Sequence, residues 1–419
     1  MTNHIRLVPA EDLQLRPRIG VAKLAKLSFD GADLNAVWGD LVTKLKAEPS
    51  EVELAMDLSL IAQLVEQQQL GLELQAQALA VRRLYRSPCV AEKPRLRVLA
   101  FAAATDIGGN TPLEFLLAAS DIELYTVYVV PGTELPAALP DHDVAFVAVP
   151  DSDETREALH EIQNLMHNWP RPIVNTARKI AALERDRLFK ILGDVPGLEI
   201  PATARVDRDD LLDAVSGEAS LADLMDRVEF PLIIRPVGSQ AGRGLKRLES
   251  MSDIEPYLEA WPDEDFFVSR FVDYSGSDGL YRKYRIVFID GVPYACHMAI
   301  AEEWKLWYLN AGMGESEEKR AEEANFMSAF DDDFAALHAG ALREIAQRIG
   351  LEYFAIDCAV AKSGELLIFE ADIAMIVHDM DPPEIYPYKG PQMRKIFAAF
   401  AAMLEAHASP AHSRRAQAA

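Results

Sequence analysis

Three acidic side chains lie close together in a segment that is typical of two strands joined by a tight turn. The segment EYFAIDCAVAKSGELLIFEAD spans residues 352–372, with a Ser-Gly pair at the centre of its turn. In an antiparallel ladder around that turn, Asp357 falls directly opposite Glu370, and Asp372 lies two residues further on, on the face of Glu370. Like charges in direct opposition destabilise a sheet unless a counter-charge neutralises them, as Mg²⁺ shared with substrate phosphates would. The pattern predicts a site for Mg²⁺ or Mn²⁺, with a solvated acidic face as the alternative.

A second segment is rich in glycine and follows a strand-like run. FPLIIRPVGSQAGRGLKRL spans residues 230–248. Glycine lets a backbone approach a phosphate closely, so that its N–H groups donate to the phosphate oxygens, and an arginine would add a fixed positive charge beside them. The loop is not a Walker loop, because no GK[ST] ends it. It is predicted to bind phosphate, with an ordinary hairpin loop as the alternative. The residues assigned to this contact are Arg235, Ser239, Gln240, Gly242 and Gly244.

Positive charge accumulates on a predicted hairpin of the otherwise acidic chain. The hairpin turns at Asp290-Gly291, a strong signal for a two-residue turn. Pairing about that turn places Arg285 opposite Cys296, with Arg285 and His297 on opposite faces. We expect Arg285 to act on the substrate, and surface charge is the alternative. Two polar residues that follow the hairpin are expected to assist it: Lys305 and Asn310.

The elements that must position these residues fall into three stretches. Residues 33–86 have leucines at helical spacing and are predicted to be helices, for packing, dimerisation or docking of a peptide, and two prolines in 87–94 indicate a linker. From residue 95, strand-like runs alternate with helical ones, which indicates a doubly wound parallel sheet. The rest mixes helices with hairpins. We therefore expect α/β and α+β parts, divided into residues 1–93, 94–175, 176–409 and a flexible tail, 410–419.

Composition excludes several classes of function. The 419-residue chain carries a net charge of -24, a field that repels nucleic acid and anionic membranes. No apolar run approaches the roughly 20 residues that a membrane helix needs. The first residues lack the apolar core of a secretory signal. Three scattered cysteines form neither a disulfide framework nor a zinc cluster. A cytoplasmic location is the simplest expectation.

The order of these motifs resembles the ATP-grasp superfamily over residues 95–405. RDRLFKILGDVPGLEIPAT (185–203) resembles the segment that opens that domain, with Arg187 at the place of a nucleotide-contacting basic residue that is often Lys. IIRPVGSQAGRGL resembles the second basic residue, here Arg235, and the flexible loop that closes over the phosphates. Both lysine positions thus carry arginine, which does not simply replace lysine.

Two further motifs complete the resemblance. VSRFVD resembles the strand that links the two lobes and contacts adenine; Arg270 departs from the acidic residue usual there, so Asp273 is assigned to the ribose. IDCAVAKSGELLIFEAD resembles the metal-binding strands, with Asp372 in place of the usual Asn. The resemblance thus assigns this nucleotide-contacting stretch: Ser269, Arg270, Phe271, Val272 and Asp273.

The resemblance implies a function for the three stretches. They would be a helical N-terminal domain, a pre-ATP-grasp α/β domain and an ATP-grasp domain of two α+β lobes. The expected activity is an ATP- and Mg²⁺-dependent ligase, near the glutathione synthetase and glutamate ligase branch, that joins a small-molecule carboxylate to an amine, either an amino acid or a peptide. A homodimer is compatible with this assignment. The alternatives are a phosphotransferase and a nucleotide-binding scaffold without turnover.

Overall fold

The N-terminal stretch is helical, as the leucine spacing predicts. The computed structural model describes residues 5–225, 229–239 and 242–409. Leu24, Leu41 and Ile61 belong to one apolar cluster between the first helices. Leu84, which was predicted to be helical, lies in a strand instead. The elements are strand β1 (Arg6–Val8), a 3₁₀ turn (Ala10–Leu13) and helices α1 (Val21–Phe29), α2 (Leu34–Ala47), α3 (Val52–Leu64) and α4 (Gln68–Val81).

The first sheet is mainly parallel, which confirms the prediction from alternating strands and helices. Its spatial order is β2-β4-β3-β6-β7, with only the edge strand β2 antiparallel to its neighbour. Strand β5 pairs with β1 outside this sheet. The elements are β2 (Leu84–Arg86), β3 (Leu96–Ala103), α5 (Leu113–Leu117), β4 (Ile122–Val129), β5 (Ala138–Pro140), β6 (Val144–Val147), α6 (Arg156–Met166) and β7 (Ile173–Val174).

An antiparallel sheet of four strands forms a lobe with its own core. Its order is β11-β10-β12-β9, and Ile234, Tyr257 and Phe266 belong to its separate apolar cluster. The elements from the first sheet through this lobe are α7 (Ala177–Ile180), α8 (Arg185–Leu192), β8 (Leu198–Glu199), β9 (Thr203–Asp207), α9 (Arg208–Ser216), α10 (Leu221–Leu224), β10 (Leu232–Pro236), β11 (Lys246–Leu248), a 3₁₀ turn (Met251–Asp253), α11 (Ile254–Ala260) and β12 (Asp265–Arg270).

The last sheet carries most of the predicted chemistry. Its order is β14-β13-β15-β16-β8. The elements are β13 (Tyr281–Ile289), β14 (Val292–Ala301), two 3₁₀ turns (Tyr308–Asn310 and Met313–Glu315), α12 (Glu317–Ala329), α13 (Phe334–Leu337), α14 (Ala339–Ile349), β15 (Tyr353–Val360), β16 (Leu366–Asp372) and α15 (Lys389–Ala408).

The first and last sheets share one core, because helix α15 packs between them. Phe400 of α15 lies 5.8 Å from Phe146 of β6 and 5.1 Å from Tyr353 of β15, measured between ring centroids. Asn175 also joins the two sheets, since its side chain bonds the backbone N–H and carbonyl of Tyr353. Over the described part of the chain, no helix combines the length and the apolar character needed to cross a membrane.

The predicted opposition of Asp357 and Glu370 is confirmed, although the pairing register between the two strands is not that of a regular hairpin throughout. Near the turn, Val360 pairs with Leu366, one residue out of the predicted register. A bulge next to Asp357 restores the predicted register, so that Asp357 faces Glu370.

The other predicted register needs correction. The turn at Asp290-Gly291 is present, but a bulge leaves Cys296 without a partner residue, and Arg285 pairs with His297. One extra residue reverses which face the following side chains share. Arg285 and His297 therefore lie on the same face of the sheet, not on opposite faces.

Candidate functional site

A cavity of about 170 Å³ lies between the antiparallel lobe and the last sheet. Strand alternation supplies one wall, because Leu232, Ile234 and Phe266 point into the lobe's core while their neighbours face the cavity. The other wall comes from β13, β16 and the loop after β14. The apolar lining comprises Leu188, Ile200, Pro201, Ile233, Leu245, Phe267, Phe271, Val272, Trp304, Leu306, Leu367, Ile368 and Phe369.

Two arginines from different elements meet at this cavity. Arg185 begins helix α8 and forms an ion pair with Glu370 of β16. Arg235 of β10 donates from Nε to Ser239 Oγ at 3.0 Å and from Nη2 to the Ser239 carbonyl. Burial and the neighbouring charge of Arg185 hold the pKa of Arg235 well below its usual range. Within the described residues Arg235 forms no ion pair, so this end of the cavity lacks a counter-charge for one partly buried cation.

Asp357 is almost fully buried and is already neutralised by two cations. Its Oδ1 accepts from Arg285 Nε at 2.8 Å, and its Oδ2 accepts from Arg285 Nη2 at 3.1 Å. Lys283 Nζ lies 2.7 Å from Oδ2. Burial alone would raise the pKa of Asp357, but Arg285 and Lys283 outweigh burial and hold it well below its usual range.

The other two carboxylates also have internal partners. Glu370 is held by Arg185, and Asp372 Oδ1 accepts from the backbone N–H of Ala374 at 3.0 Å. Burial raises the pKa of Asp372, which opposes its ionisation.

These pairings bear on the predicted metal site, which stays a prediction. In the ranges that the structure describes, no three His, Cys, Asp or Glu side chains are grouped to hold a metal ion. Asp357, Glu370 and Asp372 lie near one another as predicted, but each has a cationic or backbone partner. The residues therefore do not fit Mg²⁺ or Mn²⁺ in this arrangement.

The glycine-rich loop borders the same cavity. Gly244 has φ of +66°, and a Cβ there would lie 2.4 Å from Pro236 Cδ, so the close approach of these residues requires glycine. Tyr257 Oη donates to the Gly244 carbonyl at 2.8 Å and fixes the end of the loop. Ser239 is buried against Arg235, as described above. Gln240 lies outside the described residues.

Gly242 and Lys305 bring this loop against the segment that follows β14. A Cβ on Gly242 would lie 3.4 Å from both Lys305 Cε and Trp307 Cζ3. Asn310 has a local role, because it accepts from the Trp307 N–H at 2.9 Å and donates to the Lys305 carbonyl at 3.0 Å. Lys305 therefore adjoins the glycine-rich loop, whereas Asn310 caps its own turn.

Arg187 lies away from the cavity. Its Nη1 donates to Asp151 Oδ2 at 2.6 Å and to the Ala181 carbonyl at 2.6 Å, which ties helix α8 to the first sheet. Arg185, two residues earlier, takes the place on the cavity wall that was predicted for Arg187. Two residues along an α-helix are rotated by about 200°, so the two arginines point in nearly opposite directions.

The predicted adenine-binding stretch is partly on the cavity wall. Ser269, Arg270, Phe271 and Val272 line the cavity, while Asp273 is not among the residues that line it. Arg270 is paired with Glu199 at 2.5 Å.

Asp273 forms a separate surface pair. It accepts from Lys362 Nζ at 2.6 Å and from the Ser275 N–H at 3.0 Å. These partners outweigh its slight burial and lower its pKa to about 2. The assignment of Asp273 to a ribose therefore has no support from its position.

Three residues near the cavity were not assigned from the sequence. Arg185 and Lys283 line it. Each has a basic neighbour two residues away, Arg187 and Arg285, that was assigned from the sequence in its place. His297 shares a face with Arg285, and its ring centroid lies 4.8 Å from that of Tyr308. Burial and the neighbouring Arg285 hold the pKa of His297 well below its usual range. Its position depends on the bulge at Cys296, which the strand pattern does not reveal.

Comparison with known proteins gives fold similarity alone. No family model matches the sequence, and no curated protein matches it. The fold is similar to VanG D-Ala:D-Ser ligase from Enterococcus faecalis (12% identity, TM-score 0.45, covering 74% of this chain and 99% of that chain). It is similar to D-alanine–D-alanine ligase from Bacillus anthracis complexed with ATP (13% identity, TM-score 0.43, covering 75% of this chain and 98% of that chain). It is also similar to a RimK-domain ATP-grasp protein from Sphaerobacter thermophilus (15% identity, TM-score 0.41, covering 73% of this chain and 98% of that chain).

Proposed function

We propose that this chain is an ATP-dependent ligase that activates a carboxylate as an acyl-phosphate and joins it to an amine. The supporting observation is the partly buried guanidinium of Arg235 beside Arg185, which has no ion-pair partner in the described residues and lies at the end of an apolar cavity. A buried charge without a counter-ion is costly, and an anionic ligand would supply that counter-ion. A nucleotide offers both an apolar base and such an anion.

The two ends of the cavity suit the two ends of ATP. Phe267 and Phe369 offer apolar surface for a base, and residues 270–272 border that space. Arg185, Arg235 and Lys283 would surround the phosphates. Phosphoryl transfer depends mainly on positioning and on charge stabilisation, which these cations provide.

The reaction would proceed through two displacements. A carboxylate oxygen of the substrate attacks the γ-phosphorus, and ADP leaves. The amine nitrogen then attacks the carbonyl carbon, and phosphate leaves with that carboxylate oxygen. Arg285, whose Nη1 reaches the Ile376 carbonyl at 3.2 Å, is proposed to hold the acyl-phosphate. Lys305, beside the glycine-rich loop, would help to exclude water, and Asn310 would hold the turn that carries it.

The domain division and the substrates are part of the same proposal. Residues 1–93 would form the helical part, 94–175 the first α/β part and 176–409 the ligase part. Val52 and Met56 of α3 share an apolar cluster with Tyr128 of the first sheet, so the helices would present a fixed surface beside the first α/β part. Placement in the glutathione synthetase and glutamate ligase branch, use of a peptide substrate and a homodimer stay predictions.

A nucleotide-binding scaffold without turnover is the second candidate. The observation that favours it is that Asp357 is neutralised internally by Arg285 and Lys283. A phosphotransferase would share the first displacement and stop at a phosphorylated product.

One assay separates these functions. ADP release is measured with purified protein, ATP, MgCl₂ and pools of amino acids and short peptides. A ligase gives ADP release that requires both a carboxylate and an amine. A phosphotransferase gives a stable phosphorylated product without an amine, and a scaffold binds ATP but releases no ADP with any pool. Arg235→Met should abolish turnover, and the exposed Arg171→Met, which loses only a surface pair with Asp141, should not.

A further inference from the structure

We propose that Asp357 is the fixed counter-ion of Arg285 and Lys283, and that it holds Lys283 on the cavity wall and Arg285 beside Lys283 instead of binding a divalent metal. The proposal concerns the same site as the proposed ligase function and rests on that function only where it invokes a nucleotide.

The geometry of the strands builds this contact into the sheet. Arg285 lies directly opposite Asp357 on the neighbouring strand, and Lys283 lies two residues away on the same face. Arg285 binds both carboxylate oxygens, and Lys283 adds a third contact at Oδ2. Bidentate pairs of this type are stronger and more directional than single hydrogen bonds.

Burial makes the contact hard to exchange for a metal. Asp357 is 1% exposed, and the side chains of Arg285 and Lys283 are 19% and 18% exposed. A divalent cation at Asp357 would need the oxygen lone pairs that these donors use. It would also leave two poorly solvated cations without their counter-ion, which is strongly unfavourable.

The surrounding charge also disfavours a cation and favours an anion. Arg185, Arg235 and Lys283 line this end of the cavity, Arg285 shares Asp357 with Lys283, and Glu370 is held by Arg185. Because Arg235 has no acidic partner in the described residues, positive charge exceeds the paired negative charge. Asp357 thus holds two of the cations in place, and the excess charge is available to a phosphate.

The first test observes the pair directly in the nucleotide-free protein. The Nε–H signal of Arg285, assigned through Arg285→Lys, is followed by ¹⁵N NMR during a titration with MgCl₂. The proposal predicts that this signal keeps its position and its slow exchange with water up to saturating Mg²⁺. A signal that shifts or exchanges rapidly as Mg²⁺ is added would show that the metal displaces Arg285, and would overturn the proposal.

The second test uses a variant and a non-hydrolysable ATP analogue. AMP-PNP affinity is measured in EDTA and in MnCl₂ for the wild type, Asp357→Asn and Glu370→Gln. The proposal predicts that the ratio of the affinity in MnCl₂ to the affinity in EDTA is the same in the wild type and in Asp357→Asn. A ratio that falls by about tenfold or more in Asp357→Asn, as loss of a metal ligand would cause, overturns it.

Two controls keep these outcomes distinct. Thermal unfolding identifies an Asp357→Asn protein that fails to fold, in which case Lys283→Met replaces it. The proposal then predicts that Lys283→Met has the same ratio of AMP-PNP affinity in MnCl₂ to that in EDTA as the wild type. If a metal competed with Lys283 for Asp357, it would bind the variant more tightly and raise this ratio, which would overturn the proposal. If the wild type does not bind AMP-PNP at all, the proposed function fails, while the Arg285 signal still tests the ion pair.

Discussion

Asp357 and Glu370 face each other on adjacent strands, and each is neutralised by an arginine from a different element. Arg285 reaches Asp357 from strand β13, and Arg185 reaches Glu370 from helix α8. The opposition of two carboxylates is therefore stabilised by cations that the chain itself provides. Our proposal that this end of the cavity binds an anion rests on this relationship, and the following predictions depend on it or on the fold that holds it.

Arg235→Met should weaken nucleotide binding without lowering the stability of the fold. The guanidinium is partly buried and has no ion-pair partner in the described chain, so its removal should leave the free energy of unfolding unchanged or raise it by about 1 kcal/mol. The same change should weaken AMP-PNP binding by about tenfold or more, because a buried charge contact with phosphate is lost. Binding is measured by fluorescence competition and stability by denaturant unfolding. Unchanged affinity would contradict the assignment of Arg235 to the nucleotide.

Gly244→Ala should destabilise the antiparallel lobe more than Gly238→Ala does. Both glycines have positive φ, +66° and +73°, but only at Gly244 would a Cβ meet Pro236 Cδ, at 2.4 Å. The positive φ costs about 1–2 kcal/mol in both variants, and the clash adds to it at Gly244 alone. Denaturant unfolding of the two variants measures the difference. Equal losses would mean that residue 236 moves aside freely.

Lys389→Met should be strongly destabilising, because it removes the cation from a buried polar cluster. Lys389 Nζ lies 2.9 Å from Asp381 and 3.6 Å from Glu323, and Glu323 is fully buried. Breaking a buried ion pair from one side costs about 3–5 kcal/mol. The exposed pair of Lys362 with Asp273 is the control, and Lys362→Met should cost less than about 1 kcal/mol. Similar losses for both variants, measured by thermal unfolding, would contradict this account.

Asp57 should give the N-terminal helices a distinctive pH dependence. It accepts from the N–H groups of Ile19 and Gly20, and burial raises its pKa to about 6. The folded pKa lies above the unfolded value, so between about pH 4 and 6 the native state binds more protons, and this group lowers stability as pH rises.

The comparison of Asp57→Asn with the wild type isolates this effect. The free energy of unfolding of the variant minus that of the wild type should increase by about 2 kcal/mol from pH 4 to pH 7. Denaturant unfolding at a series of pH values gives this difference. A difference that is constant or decreases with pH would mean that Asp57 is not destabilised by burial.

The sequence predicted features that depend on local periodicity. The parallel sheet followed from alternating runs, and the opposition of Asp357 and Glu370 followed from strand alternation around a recognisable turn. Arg235 and the glycine-rich loop were assigned because their residue types have a direct physical use near a phosphate; the structure places Arg235 on the cavity wall, and its phosphate contact stays a prediction.

Features that depend on distant or irregular contacts were not predictable. The pairing of Arg285 with His297 depends on a bulge at Cys296, and the residue pattern does not predict that bulge. The choice between Arg185 and Arg187 depends on how helix α8 is rotated by its packing. The partners of Asp357 come from 72 and 74 positions earlier in the chain, so only the folded sheet brings Arg285 and Lys283 to it.

The central claim is that a substrate carboxylate is activated by phosphorylation. The most direct measurement supplies amino acids and short peptides labelled with ¹⁸O in their carboxylates, together with ATP and MgCl₂, and analyses the released phosphate by mass spectrometry. The account predicts amine-dependent release of phosphate that carries one ¹⁸O atom from the carboxylate. Release of unlabelled phosphate, or no ADP formation with any carboxylate and amine, would contradict it.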